Sequence, residues 1–521
     1  MQGFTIYDFI ILVVYLGAVL VAGLFFAKKD MKGKEYFKGD GTIPWWVTSV
    51  SIFATLLSPI SFLSLAGNSY AGTWIMWFAQ LGMLIAIPLA IRYFLPVYAK
   101  LDIDTAYHYL ELRFGSKALR ILGAVMFIIY QIGRMSIIMY LPCMVLASLT
   151  GINVNVLILT MGIIAIIYSY TGGLKSVLWT DFIQGSVLIV GIIFALIYLM
   201  SNIDGGIGAV FSSFWTEHKF LAPDQPIFDA NLLRDSVFLM VFGAGLNTLG
   251  SYVSSQDIVQ RFVTTTDTKK MNKMMRTNGI LSIGLATAFY LIGTGLFVFY
   301  QQHPLPPAAA QDQIFASYIA FELPVGITGL LLAAIYAAAQ STLSTGLNSI
   351  ASSWALDIQS RLTKKEMSFE KQTKIGQYVS LAVGIFSIVV AMLLASGGIT
   401  SAYEWFNGFM GLVLGILVGI FILGVFFRRA NACGAFAGFA ASTIVMIIVK
   451  YYATNVSIWS YSLISIAVCL AVGLPASWLY NKMTGKKTDA PQFTVYADFK
   501  KGLKTEEELA EVQDASAGGM A

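Results

Sequence analysis

The sequence predicts an all-α, polytopic membrane protein with about 13 transmembrane helices. Three observations predict it. Hydrophobic residues make up 57% of the 521 and charged residues 12%, roughly half the charged share of soluble chains. Apolar runs of about 20 residues recur from end to end, the length that crosses a bilayer as a helix. All but four of the 33 lysines and arginines fall in alternate connections or in the tail. A soluble multidomain enzyme or a disordered scaffold would need a polar share that this chain lacks. The alternating ten-residue strands of a β-barrel are missing from the pattern.

The expected spans lie near 7–26, 46–70, 73–98, 120–149, 154–171, 179–201, 235–257, 277–300, 313–357, 375–396, 402–427, 432–453 and 457–480. The first has no basic residue before it and the cluster Lys28 to Lys38 after it, so it reads as a retained span. The run 313–357 is long enough to tilt or bend. The basic connections, Arg113, Lys117, Arg120 and Arg261 among them, are assigned to the cytoplasm. Outside lie only Lys219, Arg234 and Lys450, while Arg134 is inside a span. The N-terminus is then outside and the C-terminus cytoplasmic, in a cell (inner) membrane. The tail, 486–521, mixes charges, with a short helix expected around 505–512.

The net charge of +5 is too small, and too scattered, for a nucleic-acid partner. Cys143, Cys433 and Cys469 stand alone in apolar runs, with no spacing for a disulfide framework or a zinc site. No nucleotide or metalloprotease motif is present, so no enzyme is expected.

Polar residues inside the spans carry the chemistry. In 46–70, Pro59 has no N–H, so the carbonyl of Thr55 loses its helical partner. That is either a healed kink or an interruption whose free carbonyls bind a cation. In 235–257, Gly243, Gly245, Asn247, Thr248, Gly250, Ser251 and Tyr252 suggest a second interruption, or close packing by small residues. These are the second and seventh spans, five apart, the arrangement of a transporter with inverted repeats. The repeats would span 46–201 and 235–427, behind a leading helix 7–26 and before trailing helices 432–480, all within a transporter domain 1–485 and followed by the tail. In the ninth span Ser341, Ser344, Thr345, Asn348 and Ser352 share one face. They are either hard oxygen ligands for a monovalent cation or a packing face. Arg134, near the middle of its span, is a functional candidate or a structural partner of carbonyls or an acid. No neighbouring acid is an obvious partner for it. Asp181 opens the sixth span as a helix-terminal carboxylate or a cation ligand.

These residues together resemble the sodium:solute symporter family, over about 7–480. The resemblance rests on Tyr170 to Leu174 followed by Trp179, Asp181 and Gln184, on Ser255 to Arg261, and on Ala338 to Thr345. It implies the leucine-transporter-like fold of inverted five-helix repeats, with Na+ as coupling ion. By matching motif, a main sodium site would use the carbonyls of Ala54, Leu57 and Ala338 and the hydroxyls of Ser341 and Thr342. A second would use Asp181, Ser344 and Thr345, with help from Ser341. Within the family the chain is most similar to the bacterial sialic acid (N-acetylneuraminate) symporters, through Phe53 to Phe62, Trp74 to Gln80 and Ile132 to Tyr140. The matching substrate residues would be Ser58, Ser61, Gln80 and Arg134, with Phe78 and Phe406 as an outer gate. Leu56 and Pro59 stand where hydroxyls would be expected. The implied function is sodium-driven uptake of a small anionic sugar across the bilayer by alternating access. Sodium symport of proline, a neutral sugar or a monocarboxylate is the near alternative, and an ion channel or a membrane sensor the distant ones.

Overall fold

A computed structural model describes residues 5–26, 36–37, 39, 42–231, 233–265, 267–305, 313–363, 368–397, 402–453, 455–486 and 488–497. The basic connection after the first span and the helix expected around 505–512 lie outside the described residues. Every regular element among the described residues is helical. Among the described residues, eleven helices are long and apolar enough to cross a membrane, and one bent pair makes a twelfth.

Helix α1 (Ile6–Phe26) leads. Its buried Asp8 accepts the N–H groups of Gly326 (2.8 Å) and Gly329 (2.9 Å), which docks α1 on the start of a later span. The second span is broken. Helix α2 (Trp45–Leu56) and helix α3 (Pro59–Ala71) meet at 62°. The cause is local: Pro59 forces Ser58 into the extended region and then serves as the first residue of α3, with Ser58 as its N-cap. Helices α4 (Trp74–Leu101), α5 (Ala106–Phe114) and α6 (Lys117–Thr150) follow.

The fifth and sixth expected spans run together as α7 (Val154–Ser201). The only non-helical residue within it is Gly173, at φ 56° and ψ −169°, a conformation glycine adopts without strain. The stretch Val154–Ile167 is too short to count as a full span alone, which brings the expected thirteen down by one. Because the helix resumes at Gly173, Asp181 sits two turns inside it and not at its start.

After α8 (Gly206–Thr216), the seventh span departs from expectation. Helix α9 (Val237–Ser254) is continuous through the glycine-rich segment. Its glycines serve close packing: a Cβ at Gly243 would lie 2.1 Å from the Trp459 carbonyl, and one at Gly82 in α4 would lie 2.4 Å from the Gly245 nitrogen. The break comes later, at Ser255 (φ −90°, ψ 115°), before the short α10 (Gln256–Phe262). Helices α11 (Thr268–Gln302), α12 (Ile314–Phe321) and α13 (Ile327–Leu362) come next, so the long run 313–357 divides into a short helix and a span. Helices α14 (Phe369–Gly397), α15 (Ala402–Phe426), α16 (Ala432–Tyr452) and α17 (Ile458–Thr484) complete the bundle.

Helix α13 is the axis. From Thr328 to Ser353 nearly every residue is buried, and it packs against α1, α2, α6, α7 and α14. Several basic residues assigned to connections are buried too. Arg113 donates to the carbonyls of Gly424, Phe427 and Ala430, closing the end of α15. Arg120 donates to Asp357 (2.6 Å) and Glu111 (2.8 Å), and Arg361 also reaches Glu111 (2.7 Å). Arg261 is wholly buried.

Candidate substrate and ion site

The two helix breaks meet at one arginine. Arg134 leaves the middle of α6 and is 3% exposed. Its Nη2 donates to the Thr55 carbonyl (2.6 Å), the oxygen that Pro59 deprives of a helical partner. Its Nη1 donates to the Asp257 carboxylate, two residues past the second break. Asp257 also accepts the hydroxyl of Ser255, at the break itself. The expectation that Arg134 lacks a protein acid is therefore overturned. Its partner is supplied by α10, which sequence reasoning had treated as the start of a cytoplasmic connection.

Beside the first break lies a set of neutral oxygens. Ser341 Oγ is 3.1 Å from the Ala54 carbonyl and 3.2 Å from the Ala338 carbonyl. Thr342 Oγ1 is 3.1 Å from Ala338 O and 3.4 Å from Thr55 O. Four of the five expected main-site residues, Ala54, Ala338, Ser341 and Thr342, are thus brought together. The fifth, Leu57, is the extended C-cap that follows α2 at the break, and Thr55 adds an oxygen not anticipated. Carbonyl and hydroxyl oxygens without fixed charge suit a hard monovalent cation that must later leave.

The expected second set is arranged differently. Asp181 is fully buried, and its Oδ2 accepts from Ser51 Oγ (2.6 Å), Arg261 Nη2 (2.7 Å) and Thr345 Oγ1 (3.2 Å). The Arg261 guanidinium takes one carboxylate oxygen, while Asp181 Oδ1 is buried with no hydrogen-bond partner among the described residues. Ser344 Oγ donates to the Ser341 carbonyl of its own helix (3.1 Å). Arg261 also donates to Ser51 Oγ (2.9 Å), Thr345 Oγ1 (2.6 Å) and the Asp257 carbonyl. The signal for this was a charged pair four apart, Asp257 and Arg261, with Ile258, Val259 and Phe262 around it.

A cavity of about 120 Å³ opens at Arg134. Ser61, Gln80 and Phe406 line it with Arg134, as do Tyr130, Asn247, Thr248, Ser251 and Trp459, which sequence reasoning had not placed there. Arg134 Nε and Asn247 Nδ2 have no hydrogen-bond partner among the described residues. Two expected residues lie elsewhere. Ser58 is the buried N-cap of α3, and Phe78 packs edge-on against Trp77 (5.4 Å) and Phe220 (5.9 Å). Leu56 lines the cavity without offering a hydrogen bond.

Broken spans, a neutral oxygen set and a polar mid-span cavity define a secondary transporter. The chain belongs to the sodium:solute symporter family, whose model matches residues 36–441. It is 35% identical over 474 residues to the sodium/sialic acid symporter SiaT of Proteus mirabilis, covering 90% of this chain and 95% of that one. It is 33% identical to the sodium/sialic acid symporter NanT of Aliivibrio fischeri, covering 94% and 96%. Among solved structures, a substrate-bound, outward-open Na+-coupled sialic acid symporter superposes with TM-score 0.84 at 34% identity, over 91% of this chain and 98% of that one. The nucleobase-cation-symport-1 transporter MHP1 shares the fold, with TM-score 0.57 at 15% identity.

Proposed function

We propose that this symporter uses the inward flow of sodium to take up a carboxylated sugar, N-acetylneuraminate, by alternating access. The observation that carries this reading is Arg134 in the wall of a mid-span cavity, with Nε unengaged and Nη2 held by the Thr55 carbonyl. Guanidinium matches a carboxylate in two parallel hydrogen bonds. Gln80, Ser61 and Asn247 supply donors and acceptors for sugar hydroxyls and an N-acetyl group. The names of the relatives that span nearly the whole chain point to the same substrate.

The cation replaces its hydration shell with the oxygens of Ala54, Thr55, Ala338, Ser341 and Thr342. Each ion moving inward gains roughly 2.3 kcal/mol per 100 mV. The two halves, 46–201 and 235–427, move as inverted repeats around this centre, with the N-terminus outside and the C-terminus cytoplasmic. A continuous pore is disfavoured because both helix breaks converge on one buried arginine.

Counterflow in proteoliposomes tests the reading. Vesicles preloaded with unlabelled N-acetylneuraminate should accumulate the labelled acid transiently, in sodium and not in potassium. Accumulation driven by proline, glucose or a monocarboxylate, with none for the acid, would replace this substrate.

A further inference from the structure

Four charges lie buried within one connected polar cluster. Arg134 is 3% exposed, and Asp257, Arg261 and Asp181 are fully buried. They alternate in sign along a path: Arg134 to the Asp257 carboxylate, the Asp257 carbonyl to Arg261, and Arg261 to Asp181. Their sum is zero. The proposed function uses Arg134 as an anion-binding group but gives Asp257 no role.

We infer that Asp257 is the internal counter-ion that makes anion binding at Arg134 depend on sodium, an inference that rests on the proposed function. An arriving carboxylate does not meet a bare cation. Arg134 Nη1 is already on Asp257, and its Nη2 is on Thr55. The acid either joins the pair through Nε or displaces Asp257 from Nη1. In both cases the guanidinium then serves two carboxylates, and the cluster carries one uncompensated negative charge. An unbalanced charge away from water is costly, and a cation relieves the cost. The neutral oxygen set is placed to take that cation, since Thr55 O accepts from both Arg134 and Thr342. A charged ligand in that set would itself balance the ion and uncouple it from the acid. Neutral ligands there and a pre-neutralised arginine beside them make each substrate the other's counter-charge.

The chemistry fixes the sign of each substitution. A unit charge within about 10 Å, at an effective dielectric of about 20, changes an ion's affinity roughly tenfold. Asp257→Asn leaves the cluster one charge positive, so sodium alone should bind about tenfold more weakly. N-acetylneuraminate should bind about tenfold more tightly in potassium and in sodium alike, because the fixed charge acts on the acid whether or not the ion is bound, so that binding without sodium becomes readable. Arg134→Gln leaves Asp257 uncompensated and should tighten sodium alone about tenfold. The double variant Arg134→Gln, Asp257→Asn is again neutral and should return the sodium midpoint to the wild-type value. Asp257→Glu should keep the wild-type sodium enhancement.

The experiment titrates purified protein with sodium chloride, potassium chloride as control, following tryptophan fluorescence. It then titrates N-acetylneuraminate in each salt by calorimetry. Opposite shifts of the sodium midpoint in the two single variants, cancelling in the double, support the inference. Equal midpoints in all proteins overturn it, as does an Asp257→Asn protein that binds the acid more weakly by one factor in both salts. If Asp257→Asn does not fold, Arg134→Gln decides alone, since an unchanged midpoint in it overturns the inference. If the wild type binds no N-acetylneuraminate, the substrate assignment fails, and the sodium titrations still decide the role of Asp257.

Discussion

Arg134 Nη2 and Thr342 Oγ1 donate to one acceptor, the carbonyl oxygen of Thr55, at 2.6 and 3.4 Å. Arg134 comes from α6 and Thr342 from α13, and the oxygen they share exists as a free acceptor because Pro59 lacks an N–H. Anything that moves α2 at its break therefore acts on Arg134 and on the oxygen set together. That is a physical route for coupling with no intermediary domain, and it directs the choice of variants below.

The hydroxyls of Ser341 and Thr342 should be indispensable for sodium-driven uptake. Both are buried and point at the carbonyls of Ala54, Thr55 and Ala338. Alanine offers no oxygen to replace ion hydration. Each loss should weaken sodium at least about tenfold, roughly 1.4 kcal/mol. The double variant should show no sodium-driven uptake in proteoliposomes. Uptake with an unchanged sodium dependence would remove these residues from the site.

The sequence made the bundle legible because hydropathy and length are local properties. The break at Pro59 was legible for the same reason, since proline acts on its immediate neighbours. The break at Ser255 was not. The glycines before it drew attention, but their small size serves contacts with Trp459 and Gly82, partners distant in sequence. Arg261 was counted as a connection charge and Asp257, at the end of the expected span 235–257, was not considered as a partner, because their compensation lies on α6 and α7, distant in sequence. Ala54, Ala338, Ser341 and Thr342 of the oxygen set were readable by motif, and the Thr55 carbonyl was not. Ser344, like Ser341, donates to the carbonyl three residues before it, which leaves its oxygen lone pairs free.

Asp181 should be needed first for the integrity of the fold. It balances Arg261, and both are wholly buried. Asp181→Ala leaves that guanidinium unpaired, a loss of about 3–5 kcal/mol, while the double variant Asp181→Asn, Arg261→Gln removes both charges and should cost less. Thermal unfolding of the purified proteins should rank them in that order. A second ion at Asp181 would need its carboxylate, whose Oδ1 is unpartnered among the described residues. The double variant should then move less charge per substrate in electrophysiological recordings on solid-supported membranes. Equal charge in wild type and double variant means that no second ion is carried there.

The Glu111 clamp should impose an acid limit on stability. Burial alone would raise the Glu111 carboxyl, but Arg120 at 2.8 Å and Arg361 at 2.7 Å outweigh it and hold it below its ordinary value of 4.5. A depressed carboxyl contributes fully above its unfolded value and loses that contribution as the pH falls through its folded value. Glu111→Gln should therefore lower the unfolding temperature at pH 7, by about 1–3 kcal/mol of stability. The gap between variant and wild type should close as the pH is lowered below 4.5. A gap that stays constant from pH 7 to pH 3 would mean that the carboxylate charge contributes nothing.

Arg134 decides the substrate class. It sits in the middle of α6, where a charge without a partner is costly, and Asp257 and Thr55 O relieve that cost before any substrate arrives. A purely structural arginine would need no cavity beside it, yet Arg134 lines one together with Gln80 and Ser61, and its Nε is unengaged. Lysine at this position could still face Asp257. It could not also hold Thr55 O and present a planar pair of donors to a second carboxylate. Arg134→Lys should therefore fold, retain sodium binding, and lose at least about tenfold in affinity for N-acetylneuraminate, roughly 1.4 kcal/mol. The methyl ester of the acid should bind the wild type poorly for the same reason, and proline and neutral sugars should not compete. Competition assays with the free acid, its ester and glucose read all three at once. An ester as potent as the free acid would make Arg134 a structural partner of Asp257 and leave a neutral solute as the substrate.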